Sequence, residues 1–119
     1  MMSPTIVERP SGALYVLGTG GSNRIRTAIL QVMTALIDDA ASPVDAVTAP
    51  RIHYEAGVLN AETFPPATME SLEAIQPDKL VTFDAPHLFF GGVNLATRAA
   101  DGGLDGHGDP RRGGHTLFV

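Results

Sequence analysis

Apolar side chains recur at Ile25, Ala28, Ile29, Val32, Met33 and Leu36. This three-and-four spacing gives a helix one buried face. Ser22 or Asn23 stands where a short polar side chain caps a first turn, and Asp38-Asp39 suits a helix end poorly, so the helix is expected to stop there. Ahead of it, Thr5-Ile6-Val7 and Ala13-Leu14-Tyr15-Val16-Leu17 are short β-rich runs around the turn-forming Glu8-Arg9-Pro10-Ser11-Gly12. Ser42 as N-cap and Pro43 at the first helical position open a second helix, kept short because Pro50 disfavours helical geometry at Ala49.

Arg51-Ile52-His53-Tyr54 and Val58-Leu59-Asn60-Ala61 read as strands around Gly57. Pro66 opens a third helix running to about Ile75, with Met69, Leu72 and Ile75 inward. Leu80-Val81-Thr82-Phe83, Leu88-Phe89-Phe90 and Val93-Asn94-Leu95-Ala96-Thr97 read as strands. Between the last two, Gly91-Gly92 marks a bulge or a close backbone approach. Residues 101–114 are loop-rich, and Thr116-Leu117-Phe118-Val119 is expected to be a closing strand. The order β-β-α-α-β-β-α-β-β-β lacks regular βαβ alternation. It predicts an α+β fold over residues 1–119 as one domain, with an antiparallel sheet and helices packed on one face.

Composition narrows the chemistry. The 119 residues contain no cysteine, which removes disulfides, thiolate catalysis and cysteine-ligated metals. A net charge of −5 without a stripe of Lys and Arg argues against a nucleic-acid partner. No apolar stretch approaches the ~20 residues of a membrane span. The first residues have neither a basic region nor an apolar core, so no signal peptide is read. That implies a cytoplasmic protein if Met1 is the native start, and a periplasmic or extracellular one if the chain is part of a full-length exported protein. His53, His87, His107 and His115 are scattered without metal-ligand spacing, and neither a metal nor a cofactor is expected.

The most suggestive segment is Gly18-Thr19-Gly20-Gly21-Ser22-Asn23, between a strand and the first helix. Backbone N–H groups at a helix N-terminus lack intrahelical partners, and glycines let an anion approach them. Such a turn suits a phosphate, a carboxylate or a transition-state oxyanion. It is also what a plain tight turn needs. It is not a P-loop, since no Lys followed by Ser or Thr is present, and Arg24 spoils a dinucleotide fingerprint.

Several colinear segments resemble the gamma-glutamyltranspeptidase family. Met2-Ser3-Pro4-Thr5-Ile6-Val7 resembles its Ser-Ser-Met-Ser-Pro-Thr strand, and Gly20-Gly21-Ser22 its Gly-Gly-Ser turn. Val44-Asp45-Ala46-Val47-Thr48-Ala49-Pro50-Arg51-Ile52-His53 resembles its Glu-Ala-Val-x-Ala-Pro-Arg-Ile-His segment. Phe90-Gly91-Gly92-Val93 and Asp109-Pro110-Arg111-Arg112-Gly113-Gly114 resemble its C-terminal pair. The resemblance implies the C-terminal part of a small subunit with an N-terminal nucleophile hydrolase fold, a layered α-β-β-α sandwich. In such enzymes an N-terminal threonine attacks a γ-glutamyl carbonyl and an acyl-enzyme is resolved by water or an amino acid. It also implies that Gly20 and Gly21 supply oxyanion donors. Ser22 and Asn23 read as helix caps first and as residues lining the substrate site second.

Nothing in the sequence matches the catalytic threonine, and Met1 stands where the family has the second of two substrate-binding serines. Thr5 follows Pro4 inside a strand and reads as an ordinary β-residue. The resemblance therefore implies a γ-glutamyl hydrolase or transferase component, inactive alone, acting on glutathione-type amides when complemented. The alternative is a non-catalytic relative serving as a binding or structural module. Either way, strands cut from their neighbours predict a homo-oligomer or a complementary family chain as partner. Arg51 is expected to pair with Asp45 or a terminal carboxylate. The Asp109–Gly113 turn is expected to hold its arginines in ion pairs, with an anion site as the rival.

Overall fold

The computed structural model describes residues 2–119. Strands β1 (Thr5–Glu8) and β2 (Leu14–Gly18) form a hairpin, followed by a 3-10 turn at Ser22–Arg24 and helix α1 (Ile25–Ile37). Helix α2 (Pro43–Thr48) leads into strands β3 (Ile52–Glu55) and β4 (Val58–Glu62). Helix α3 (Pro66–Glu73), strand β5 (Lys79–Phe83), a 3-10 turn at Leu88–Phe90, and strands β6 (Asn94–Arg98) and β7 (Leu104–His107) complete the order, with a last 3-10 turn at Pro110–Arg112.

The α+β class holds, but the strands divide into two sheets. An antiparallel sheet runs β1-β2-β6-β7, and a three-stranded sheet runs β3-β4-β5. In the second sheet β4 and β5 are parallel, joined by a crossover through α3. The two sheets have separate cores, and the molecule is elongated, 46 × 25 × 22 Å.

The larger core follows from the helical period of α1. Ile25, Ala28, Ile29, Val32 and Leu36 are buried against Leu17, Leu95 and Val93, with Ala46 and Val47 of α2 closing the cluster. Ser42 caps α2 as expected, accepting the Asp45 N–H, and Pro43 occupies the first turn. The smaller core packs Leu59, Ala61 and Leu72, with Met69 partly buried.

The opposite face of the four-stranded sheet is uncovered. Cross-strand register aligns Ile6, Val16, Ala96 and Gly106 in one row, and Glu8, Leu14, Arg98 and Leu104 in the next. Ile6 is 71 % exposed, Val16 46 % and Leu104 73 %. Exposed apolar side chains on this face thus stand beside the charged Glu8 and Arg98.

Four local expectations are corrected. Leu88–Phe90 is a 3-10 turn rather than a strand, because the His87 side chain accepts the Phe89 N–H and caps it. Thr116, Leu117, Phe118 and Val119 form no strand; β7 takes the place beside β6, where four residue pairs align. Ile75 lies beyond the end of α3 and is 62 % exposed. Neither Ser22 nor Asn23 caps α1 through its side chain, because the 3-10 turn carries the chain into the helix.

Candidate functional site

The strand-to-helix turn is held by two loops. β2 ends at Gly18, buried Thr19 follows, and Gly20 forms an isolated bridge with Met2. Gly21 has φ 144, a conformation rarely open to other residues, and Ser22 follows at φ 56. The second loop supports the first from behind. A Cβ on Gly21 would stand 3.2 Å from Gly91 Cα, and one on Gly91 would stand 2.9 Å from Thr19 Oγ1. The close approach expected at Gly91-Gly92 is thus made against the glycine turn. Thr19 Oγ1 donates to Gly20 O at 2.9 Å and accepts the Gly92 N–H at 2.9 Å.

A buried ion network fixes that second loop. Arg51 pairs with Asp109 at 2.7 Å, and Arg111 with Glu62 through both carboxylate oxygens. Arg51 also donates to Phe90 O at 3.3 Å, while Asp109 accepts the Val93 N–H at 2.9 Å. Glu62 accepts the His87 N–H at 2.8 Å and the Arg51 N–H at 3.0 Å. Residues on both sides of Gly91-Gly92 are therefore tied to buried charges. Two arginines balance two carboxylates, so no net charge is buried here.

Burial and the positive Arg111 pull Arg51 below its ordinary pKa, against the opposing pull of Asp109. For Arg111 burial acts in the same direction, but the hydrogen bond and charge of Glu62 outweigh it and hold the group above its ordinary value. A guanidinium stays charged throughout. The expected partner of Arg51, Asp45, instead accepts from Ser42 at the α2 cap. Asp109 is 58 residues further along the chain than Arg51, a long-range pairing that local sequence does not announce.

Ser22 and Asn23 are exposed and line a surface cleft with Ser3, Ile25, Arg26 and Ile29. Asn23 Nδ2 donates to Glu55 Oε1 at 2.9 Å. Gly20 opens on a different cleft, lined by Met2, Pro4, Gly18, Thr19 and Asn94. Thr5 pairs with Leu17 in β1, and its hydroxyl donates to Ser3 O. Met1 lies outside the described residues. Sequence reasoning missed Thr19, whose hydroxyl joins the two glycine loops, although its place between Gly18 and Gly20 was visible.

A sequence profile of the family described as Gamma-glutamyltranspeptidase matches residues 1–119. The chain belongs to the gamma-glutamyltranspeptidase family. Among its relatives is the glutathione hydrolase proenzyme of Escherichia coli strain K12, 34 % identical over 113 residues, covering 92 % of this chain and 19 % of that protein. A solved variant of Helicobacter pylori gamma-glutamyltranspeptidase superposes with a TM-score of 0.77 at 32 % identity, covering 92 % of this chain and 60 % of that one. The Bacillus anthracis transpeptidase enzyme CapD shares the fold, with a TM-score of 0.83 at 22 % identity over 100 % of this chain and 71 % of its own. These likenesses establish the N-terminal nucleophile hydrolase fold for this gamma-glutamyltranspeptidase-family chain. The chain spans about a fifth of the length of the curated relatives it matches.

Proposed function

We propose that this chain supplies the oxyanion-binding turn of a γ-glutamyl hydrolase or transferase acting on glutathione-type γ-glutamyl amides. The observation that carries the proposal is Gly21, held at φ 144 at the entrance to α1 with Gly91 packed behind it. In this account the Gly20 and Gly21 amides stabilise the negative charge that develops on the γ-carbonyl oxygen. Ser22 and Asn23 form the adjoining wall. The nucleophilic threonine comes from residues outside these 119, on a longer natural chain or on a partner.

The uncovered row of Ile6, Val16 and Ala96 supports assembly with a complementary family chain or a second copy. It equally supports the second function, a non-catalytic binding or structural module, because that face suits an interface without any chemistry.

A chromogenic γ-glutamyl anilide separates the two. The 119 residues alone are expected to give no turnover, and addition of the threonine-bearing family segment is expected to restore it. Turnover by the 119 residues alone would contradict the account. Glutathione binding without turnover in the complemented protein would favour the binding module.

A further inference from the structure

The helix face of the four-stranded sheet opens into a cleft where α1 ends and α2 begins. The cleft measures about 430 Å³, within the range of small-molecule sites. Leu36 in the last turn of α1, with Ala41 and Pro43 at the entry to α2, gives it an apolar side. Tyr15, Thr97 and Asp105 line it from the sheet. Tyr15 is in register with Thr97, and Thr97 with Asp105, so the three stand in one row across β2, β6 and β7. Alternation along the strands sends them to one face, the face on which Tyr15 packs against the α1 core. Side chains directly opposite in such a row have their Cβ atoms about 5 Å apart.

This row has hydrogen-bonding capacity to spare. Among the described residues the Tyr15 and Thr97 hydroxyls make no hydrogen bond, and neither is sealed from solvent. Asp105 Oδ1 accepts the Gly106 N–H at 2.7 Å, which leaves Oδ2 for a ligand. Three adjacent strands thus each offer one acceptor oxygen. A primary ammonium carries three N–H donors and no acceptor, and so matches the row.

Charge points the same way. Asp101 also lines the cleft, and the last turn of α1 brings the negative end of the helix dipole to it. Arg98 lies at its margin but belongs to the alternate row with Leu14 and Leu104, which faces the other side of the sheet.

We propose that this cleft binds a small primary amine in its ammonium form, with the apolar body of the ligand against Leu36, Ala41 and Pro43. None of these residues belongs to the glycine turn. Tyr15 precedes Gly20 by five residues, about 15 Å of extended chain.

The test is a ligand-observed NMR titration of the full natural protein that contains these residues. Three probes of one shape are compared. Cyclohexylmethylamine has the charge and the donors, its N,N,N-trimethyl derivative has the charge without N–H groups, and cyclohexylmethanol has no charge. Saturable binding of the amine is expected, with both analogues at least about tenfold weaker. Asp105→Asn keeps an acceptor for the Gly106 N–H while removing the charge, and should weaken the amine about tenfold. Tyr15→Phe keeps the packing and should weaken the amine by about threefold or more without changing cyclohexylmethanol.

No saturable binding of the amine, equal binding of amine and alcohol, or undiminished binding in Asp105→Asn each overturns the proposal. Turnover of γ-glutamyl-4-nitroanilide in Asp105→Asn should stay within about twofold of the parent. A loss of turnover that parallels the loss of amine binding would put the amine at the glycine turn and overturn this site as well.

Discussion

Thr19 Oγ1 accepts the Gly92 N–H at 2.9 Å, joining positions 73 residues apart in the chain. One hydroxyl thus couples the glycine turn to the loop that supports it. Thr19→Val keeps the shape but leaves a buried N–H without an acceptor. It should cost about 1–3 kcal/mol, seen as a lower urea midpoint with an unchanged slope. Thr19→Ser should recover most of the loss.

Three glycines should respond differently to alanine. Gly91 has φ 80, and its added Cβ would stand 2.9 Å from Thr19 Oγ1 and 3.1 Å from Gly20 O. Gly21 has φ 144 and only 3.2 Å of clearance to Gly91 Cα. Gly20 has no heavy atom within 4 Å of the same position. Gly91→Ala and Gly21→Ala should each destabilise by roughly 1–3 kcal/mol, and Gly20→Ala by less than about 0.5 kcal/mol. Thermal melts that rank the three alike would contradict this geometry.

Removing one member of the buried ion network should be severe. Asp109→Ala leaves Arg51 charged in a site where both side chains are at most 2 % exposed. The expected loss is about 3–5 kcal/mol by denaturant unfolding. Arg51→Met combined with Asp109→Leu should cost less than the sum of the two single changes, because the pair is coupled. Additive losses would show that the two side chains act independently.

The open face of the four-stranded sheet predicts association. Solution scattering of the 119 residues alone should report an oligomer, and Ile6→Lys with Val16→Lys should shift it toward monomer at constant helix content. A monodisperse monomer before any substitution would count against an interface there.

Much of the scaffold was legible because it is local. The period of α1, the Ser42-Pro43 start of α2 and the hairpin around Pro10 each follow from a few neighbouring residues. Gly91-Gly92 was legible as a close approach, though not what it approaches. Less legible were features set by distant partners. β7 contains Asp105 and Gly106, poor strand formers, and it is a strand because β6 offers it an edge. The aromatic run at Leu88–Phe90 has strand composition, yet a His87 cap and packing of Phe89 and Phe90 against Phe83 draw it into a turn. At the candidate site the two glycines were visible in sequence. The Thr19 link and the Arg51–Asp109 pair appear only once the chain is folded.

The central claim is that the Gly20-Gly21 turn stabilises an oxyanion, and one measurement addresses it most directly. The full natural protein and its Gly21→Ala variant are compared for kcat on γ-glutamyl-4-nitroanilide, at a temperature where both are folded by circular dichroism. Distortion of the turn should lower kcat by about 10²–10³ with KM little changed, as loss of an oxyanion donor does. A folded Gly21→Ala variant retaining the parent kcat within about twofold would contradict the account.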